Sequence, residues 1–196
     1  MIDLCRNKTS ILKLIFLLIV FSCSNNENEL SDDSEVELLS TVEIYLLNPL
    51  DDSRGYCIDI KGYKSNAKID QGLQAHTCYS YQGAIAVDQG FDQKKVAEKK
   101  FFMPGFNVCI TAKNKNNPDD LKLETCSDNE LQRFILTNNG NIIMEENPNL
   151  CVTVSKGNSR EGGGGDPIHL IRDLNIENCQ DDLSVYQSWG MRLIGE

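Results

Sequence analysis

CIDIKGYKSNAKIDQGLQAHTCYSYQGAIAVDQGF, residues 57–91, is the stretch of this chain that decides its fold. It opens with a cysteine in an alternating run, passes through a glycine-containing turn to a second cysteine, and closes with Gln-Gly-Phe. The same order recurs in residues 107–134 and again in residues 150–189. Three strand-rich copies of roughly 40 to 50 residues are too few for most solenoids, and they predict a threefold closed all-β architecture.

Short apolar runs separated by Gly, Asn, Asp and Pro extend on both sides of this stretch, which is typical of many short strands. Residues 42–47 form the first predicted strand, and the Asn-Asn-Gly-Asn run at 138–141 predicts a hairpin turn. Residues 162–165 are four consecutive glycines, which favour an exposed, flexible loop because glycine has the greatest backbone freedom. No part of the domain shows a sustained helical period.

Six of the eight cysteines fall as one pair in each copy of the repeat. Their number alone permits many connectivities, so the repeat is what selects the pairing. The predicted pairs are Cys57 with Cys78, Cys109 with Cys126, and Cys151 with Cys179. A zinc site is the alternative, but zinc sites favour close CxxC pairs and the chain has none. We therefore expect one disulfide per repeat and no metal.

The first 22 residues have the order of a bacterial lipoprotein signal peptide. Basic residues precede a short apolar run, residues 14–21, which is followed by Ser22 and Cys23. This run is shorter than the about 20 apolar residues that span a bilayer. Cys23 is then expected to become the lipid-carrying first residue of the mature chain, whereas Cys5 is removed. The alternative is ordinary secretory cleavage with Cys23 incidental.

Residues 23–40 are polar and acidic and contain no aromatic residue, so they predict a flexible tether. Residues 41–196 then form the domain. We expect an exported protein, lipid-anchored to a bacterial membrane on its periplasmic side or at the cell surface.

The formal net charge of the chain is −10, and no basic cluster offsets the acidic residues. Binding of nucleic acid or of an anionic lipid surface by electrostatic attraction is disfavoured by this balance. A neutral ligand fits it better, and contact with the membrane is expected through the N-terminal lipid alone.

The cysteine pairs and the closing tripeptides resemble those of the ricin B-type lectins, which are β-trefoil domains with a Q-x-W motif near the end of each repeat. The third ending, Gln187-Ser188-Trp189, has the full motif, and Phe91 and Phe134 replace Trp in the other two. The resemblance covers about residues 42–196. It implies an all-β β-trefoil with three pseudo-repeats, in which the glutamines can satisfy backbone groups at strand ends.

In this family a sugar site belongs to one repeat, and the resemblance places it in the first. Asp59 matches an acid that accepts hydrogen bonds from neighbouring sugar hydroxyls, and Gln74 matches its polar partner. His76 stands where the family often has an aromatic ring that stacks on a pyranose. Asp88 stands where Asn is common, and Gln89 would orient Asp59 or contact the sugar. These five residues are the candidate carbohydrate-binding residues.

Two features depart from the family pattern. His76 offers less stacking area than tryptophan, and residues 79–87 are more numerous than is usual between the second cysteine and the closing motif. Tyr79 and Tyr81 lie in this longer segment, and either can supply a stacking ring. The alternative is that both are ordinary core or surface tyrosines.

The other two copies lack this set of candidate carbohydrate-binding residues. Neither has an acid two positions after its first cysteine, and the matched residues are Thr111, Lys122 and Glu124 in the second copy and Thr153, Asn175 and Glu177 in the third. Sugar binding through one site predicts weak affinity per domain, which several tethered copies on a surface would increase.

The predicted function is therefore a carbohydrate-binding lectin module displayed on a bacterial membrane surface, with no cofactor. The alternative is a structural or protein-interaction lipoprotein whose trefoil no longer binds sugar. Asp59 and Asp88 are the two acids that a glycosidase would require, but nothing in the sequence places them across a cleft. We therefore expect no enzymatic activity.

Overall fold

The computed structural model describes residues 41–193. The predicted signal peptide at 1–22, the lipid-carrying Cys23 and the tether at 23–40 lie outside the described residues and stay predictions. Within the described part, no helix has both the length and the apolar character needed to cross a membrane.

Thirteen short strands make up the described domain. They are β1 (Thr41–Leu46), β2 (Tyr56–Ile60), β3 (Leu73–Thr77), β4 (Gly90–Asp92), β5 (Phe102–Met103), β6 (Val108–Ala112), β7 (Asp119–Glu124), β8 (Phe134–Leu136), β9 (Ile142–Met144), β10 (Leu150–Val154), β11 (Arg160–Glu161), β12 (Leu170–Asn178) and β13 (Trp189–Arg192). Helices are confined to α1 (Gln93–Ala97), α2 (Ser184–Gln187) and five 3-10 turns at Lys64–Asn66, Ile69–Gln71, Ser80–Gln82, Glu130–Gln132 and Asp181–Leu183.

The strands follow the predicted threefold order. Each repeat contributes an antiparallel hairpin, namely β2–β3, β6–β7 and β10–β12, between two outer strands. The outer strands pair with one another, β1 with both β4 and β13 and β8 with β9. Pairing between β1 and β13 closes the sheet between the first and third repeats. The fold is an all-β β-trefoil, as the repeat predicted.

All three predicted disulfides are present. Their Cα–Cα distances are 4.9 Å for Cys57–Cys78, 5.0 Å for Cys109–Cys126 and 5.1 Å for Cys151–Cys179. Each bond joins the start of a hairpin to the end of its second strand. The bonds therefore fasten the hairpins at equivalent points and stabilise the domain mainly by restricting the unfolded chain, by about 2–4 kcal/mol each.

The core forms where the three closing motifs meet. Phe91, Phe134 and Trp189 are all buried, and Phe101 lies edge-on to both phenylalanines at centroid distances of 6.2 Å. Trp189 donates from Nε1 to the backbone oxygen of Val152 at 2.9 Å, which satisfies its polar atom inside the core. The replacement of Trp by Phe in two repeats thus keeps the aromatic anchor at each position.

The predicted hairpin turn at 138–141 is confirmed between β8 and β9. Gly140 has a φ of +91°, a left-handed conformation that strains any residue with a side chain. The turn is closed by the Thr137 amide, which donates to the Asn141 oxygen at 2.8 Å.

β12 is the strand that joins the three hairpins. Besides its own partner β10, it pairs with β3 of the first repeat and β7 of the second. The pairing of β12 with β3 places Ile171 opposite His76 and Asp173 opposite Gln74. The third repeat is thereby held directly against the part of the first repeat that carries the predicted site.

Candidate functional site

The hairpin β2–β3 brings together three of the predicted site residues. Its register places Asp59 opposite Gln74 and Cys57 opposite His76. Gln74 donates from Nε2 to Asp59 Oδ1 at 2.9 Å, and Gln89 donates from Nε2 to Asp59 Oδ2 at 3.1 Å. The acid at this position therefore has two amide partners, one for each carboxylate oxygen.

Gln89 is held in one orientation by the backbone. Its Oε1 accepts from the Tyr79 amide at 3.0 Å, and its Nε2 donates to the Thr77 oxygen at 3.0 Å. These two backbone groups flank Cys78, so the side chain closes the end of β3. Because both ends of the amide are assigned, the second Nε2 hydrogen points to Asp59. Gln89 therefore contacts Asp59 and does not line the pocket, and its role in sugar binding stays a prediction.

The same glutamine arrangement occurs in all three repeats. Gln132 accepts from the Ser127 amide and donates to the Thr125 oxygen, and Gln187 accepts from the Gln180 amide and donates to the Asn178 oxygen. Their third contact is with a threonine hydroxyl, Thr111 or Thr153, where the first repeat has Asp59. Closing a strand end is therefore the shared role, and an acid as third partner belongs to the first repeat.

Asp59 is buried without a cation. Burial raises the pKa of its carboxyl well above the usual range, and the negative charge of nearby Asp88 raises that pKa further. The hydrogen bonds from Gln74 and Gln89 oppose this effect by stabilising the ionised form. An ionised Asp59 is thus costly in the folded protein.

Asp88 does not join the hydrogen-bond network. It is fully buried, and neither carboxylate oxygen has a hydrogen-bond partner within the described chain. Burial raises the pKa of its carboxyl, and the positive charge of Lys64 opposes that rise. Its backbone oxygen accepts from the Ile60 amide at 3.1 Å, which ties the segment before Gln89 to β2.

His76 lies on β3 with its imidazole stacked on Tyr79. The ring centroids are 5.1 Å apart and the planes are inclined by 25°. His76 Nδ1 lies 2.9 Å from the Thr77 oxygen, so Nδ1 carries the proton and donates. Burial lowers the pKa of His76 and favours the neutral ring, whose Nε2 is then an acceptor.

His169, which the sequence did not single out as a site residue, completes this aromatic cluster from the third repeat. Its ring lies edge-on to His76 at 5.2 Å and to Tyr79 at 5.0 Å. Its Nε2 lies 2.8 Å from the Tyr81 hydroxyl, which also accepts from Gln82 Nε2 at 2.8 Å. Tyr81 therefore donates to His169, and its ring is about half exposed.

The glycine run lies against the two histidines. A Cβ at Gly165 would come within 2.6 Å of the His169 ring, and one at Gly162 would come within 3.2 Å of His76 Nε2. Gly164 and Gly165 also have positive φ angles of 79° and 84°. Gly163, Gly164 and Gly165 are exposed as predicted and Gly162 is half-buried, and close approach to His169 is an additional reason for glycine at position 165.

These residues surround a pocket of about 920 Å³. The first repeat contributes residues 62–64, 74, 76, 79, 82 and 84–87, and the third contributes residues 163–165, 169 and 171. Gln74, His76 and Tyr79 line it directly, whereas Asp59 and Gln89 are buried behind them. Tyr81 and Asp88 are not part of the lining; Tyr81 acts on the pocket through His169.

A family model for the ricin-type β-trefoil lectin domain matches residues 49–189 of the sequence. This match covers most of the chain and all three repeats. The chain belongs to the ricin-type β-trefoil lectin domain family. No curated protein matches the sequence.

Solved structures show the same fold at low sequence identity. The C-half of an earthworm R-type lectin in complex with GalNAc is 15% identical, with a TM-score of 0.50 over 78% of this chain and 98% of the other. A non-toxic homologue of type II RIPs from Momordica charantia, in complex with α-methyl-D-galactoside, is 12% identical with a TM-score of 0.52 over 77% and 47%. The mdaA-1 domain is 13% identical with a TM-score of 0.57 over 80% and 91%.

The other two hairpins of this lectin domain do not reproduce the first-repeat constellation. The register aligns Thr111 with Lys122 in the second repeat and Thr153 with Asn175 in the third, where the first has Asp59 and Gln74. Both threonines donate to the backbone oxygen of their own repeat's first cysteine. They complete the scaffold but supply no acid.

One group of potential metal ligands lies close together within residues 41–193, namely Glu43, Cys57 and Cys78. The two sulfurs are joined in a disulfide, so neither is the thiolate that a metal requires. Glu43 instead accepts from Ser80 and Arg192. Glu43 is thus a structural contact between β1, β13 and the 3-10 turn Ser80–Gln82.

Proposed function

We propose that this protein is a carbohydrate-binding lectin that binds sugar in the first-repeat pocket and is displayed at a bacterial membrane surface. The observation that carries the proposal is the Asp59–Gln74–Gln89 network beneath that pocket. It occurs in one repeat, whereas the glutamine scaffold around it occurs in all three.

The floor of the pocket has the hydrogen-bonding character that a sugar needs. Gln74 directs its Nε2 to Asp59, which leaves Oε1 as an acceptor, and neutral His76 offers Nε2 as a second acceptor. Sugar hydroxyls are donors to such groups. The stacked His76–Tyr79 rings next to them provide an apolar surface for the carbon face of a pyranose.

Catalysis is no part of this proposal. A general acid or base must come within hydrogen-bond reach of the reacting atoms. Asp59 is buried with each oxygen bonded to a glutamine amide, and Asp88 is buried outside the pocket lining. This arrangement supports ligand binding by the residues in front of the two acids.

Display at a membrane is proposed from the N-terminal sequence. Cys23 would carry the lipid, and residues 23–40 would hold the domain away from the bilayer. Clustering of tethered copies would raise the avidity of a single weak site, since linked sites increase the effective concentration of one another.

A glycan array tests the lectin function. We expect the wild-type protein to bind, and Asp59→Asn to lose binding because the new amide group turns a donor toward the donating Nε2 of Gln74 or Gln89 and so disturbs Gln74, which lines the pocket. Asp120→Asn is the matched control, since it makes the same charge change on an exposed residue of the second hairpin. Absence of binding by a correctly oxidised wild-type domain would favour a structural or protein-interaction role instead.

Membrane fractionation tests the display separately. Cys23→Ser in the full-length chain is expected to move the protein from the membrane fraction to the soluble exported fraction. If the variant stays with the membranes, lipid attachment at Cys23 is not the anchor.

A further inference from the structure

We infer that the third repeat builds a second subsite into the first-repeat pocket, so that the site takes an oligosaccharide rather than a single sugar ring. This inference rests on the lectin function proposed above. The subsite is formed by the glycine run and by the segment that leads from it into β12.

The third hairpin has an additional segment between its strands, so that its connection, residues 155–169, is longer than residues 61–72 of the first hairpin and residues 113–118 of the second. Its disulfide spans 28 residues of sequence, against 21 and 17 in the first and second repeats. The additional segment includes β11 and the glycines. It lies on the first repeat because β12 pairs with β3 directly after it.

Arg54 of the first repeat holds this segment through hydrogen bonds to its backbone. It donates from Nη1 to the Pro167 oxygen at 2.7 Å and from Nη2 to the Ile168 oxygen at 2.8 Å. The guanidinium is itself held by Asp52, which it meets through Nε at 2.9 Å and Nη2 at 2.8 Å. The segment is thus anchored immediately before His169.

A hydrogen bond from Leu170 holds the chain on the other side of His169. The Leu170 amide donates to Thr77 Oγ1 at 2.8 Å, and Thr77 Oγ1 donates to Asp52 Oδ2 at 2.6 Å. Asp52 therefore supports both attachments. With its neighbours fixed on both sides, His169 is a positioned part of the pocket wall rather than the tip of a free loop.

The size of the pocket agrees with an extended ligand. Its volume of about 920 Å³ lies near the upper end of the roughly 300–1,000 Å³ typical of small-molecule sites. One pyranose over Gln74 and His76 leaves much of this space unfilled. The rest is bounded by Gly163–Gly165 on the third repeat and by Ala84–Val87 on the first.

The two sides of the remaining space differ in chemistry. The glycine run presents backbone amides and carbonyls without side chains, which are donors and acceptors for sugar hydroxyls. The facing residues, Ala84, Ile85, Ala86 and Val87, are apolar. A second sugar ring matches this combination, because its hydroxyl edge is polar and its carbon face is apolar.

Gly163 allows the second subsite to be blocked without disturbing the fold. A Cβ at Gly163 meets no atom within 4 Å, and its φ lies outside the left-handed range. Because Gly163 lines the pocket, Gly163→Trp adds a large ring at the wall of the subsite. Gly157→Trp is the matched control, since Gly157 is also exposed with open space at its Cβ but lies outside the pocket lining.

The experiment uses an array of free monosaccharides and oligosaccharides, followed by calorimetry. The titrants are the strongest oligosaccharide on the array and the methyl glycoside of its terminal sugar. We expect the wild-type domain to bind the oligosaccharide about tenfold or more tightly than the glycoside. Gly163→Trp should abolish that advantage and leave glycoside binding unchanged, and Gly157→Trp should change neither.

Two results overturn the inference while the lectin function stands. One is equal affinity of the wild-type domain for the oligosaccharide and the glycoside. The other is an oligosaccharide advantage that survives in Gly163→Trp or is lost equally in Gly157→Trp. A wild-type domain that binds nothing on the array removes the proposed function itself, and the second subsite with it.

Discussion

Gln89 donates one hydrogen bond to Asp59 Oδ2 at 3.1 Å while its remaining contacts hold the backbone on both sides of Cys78. The scaffold glutamine of the first repeat is therefore also the partner of the candidate sugar-binding acid. In the other repeats the equivalent hydrogen bond goes to a threonine hydroxyl, so the glutamine has only a structural role there.

This relationship predicts different consequences for two matched substitutions. Gln89→Ala removes three hydrogen bonds and Gln132→Ala removes four, and each leaves two backbone groups near the end of a strand without their side-chain partner. Each should lower the free energy of unfolding by about 2–3 kcal/mol, measured by urea denaturation. Only Gln89→Ala should also lose glycan binding, because it alone removes one of the two hydrogen-bond donors to Asp59.

The control for this comparison is Gln132→Ala, assayed at a temperature where both variants remain folded by circular dichroism. Equal loss of glycan binding in the two variants would show that the effect of Gln89→Ala is a general destabilisation. The link between the scaffold and the first-repeat site would then be wrong.

Asp59→Asn is expected to stabilise the free protein at neutral pH. Burial raises the pKa of Asp59, so the folded state binds its proton more tightly than the unfolded state does. The stabilising contribution of this group is fully present below the unfolded pKa of 3.8 and is lost as the pH rises through the folded pKa. At pH 7 the raised pKa of this carboxyl is therefore a free-energy cost to the folded state, and asparagine, which does not ionise, avoids that cost.

Urea denaturation of the wild-type and Asp59→Asn domains at pH 4 and pH 7 measures this difference. The variant should gain stability relative to wild type at pH 7 and lose most of that gain at pH 4. Asp120→Asn, at an exposed position, should show little change at either pH. A less stable Asp59→Asn at pH 7 would mean that the carboxylate is net stabilising where it stands.

The fold and part of the site follow from sequence because their signals repeat. Cys57 and Cys78, like the closing Gln89 and Phe91, recur at matched places in each copy, so comparison of the copies finds them. The need of Asp59 for a partner was also predictable, because an acid in an apolar strand must be satisfied. The structure adds that the partners are two amides and not a cation.

The rest of the pocket depends on pairing between repeats, which no periodicity encodes. His169 reaches His76 because β12 is longer than its pairing with β10: residues 174–178 pair with β10, and residues 171–173, which follow His169, pair with β3. The sequence showed four consecutive glycines, residues 162–165, and a single histidine, His169, four residues after the last of them. Their packing against the first repeat depends on Arg54, whose partners are distant in sequence.

Acidic pH is expected to weaken both folding and glycan binding through the histidines. Burial lowers the pKa of His76 and His169, so the unfolded state binds protons more readily than the folded state does. Their contribution to stability is present above the ordinary pKa of 6.5 and is lost as the pH falls through the lowered values. Protonated His76 also loses the Nε2 acceptor.

Because the chain contains two histidines, both at the pocket, histidine titration reports on this site alone. Glycan affinity should fall between pH 7 and pH 5; the two histidines lower the melting temperature over this range, whereas protonation of Asp59 opposes that fall. His169→Gln should flatten the pH dependence of the melting temperature, since one of the two titrating rings is gone. An unchanged profile in that variant would show that other groups govern the acid response.

Arg54 is expected to control the order of the third-repeat segment at the pocket. Its guanidinium donates hydrogen bonds to the backbone oxygens of Pro167 and Ile168 and to the carboxylate of Asp52. Asp52 is nearly fully buried, and Arg54 is among the groups that lower its pKa. Arg54→Lys keeps the charge but cannot make all these contacts, because an ammonium group lacks the planar set of donors.

Hydrogen exchange measured by mass spectrometry tests this role. Arg54→Lys should raise exchange at the Gly162 and His169 amides, which donate to the His169 and Gly164 oxygens in the folded segment, and should leave β10 unchanged. Arg160→Lys is the matched control, because Arg160 lies in the same segment but pairs with Asp173 at a half-exposed position. Unfolding free energy should fall by about 1–3 kcal/mol in Arg54→Lys and by less than about 1 kcal/mol in the control. Equal protection of the segment in both variants would mean that β12 pairing alone holds His169 in place.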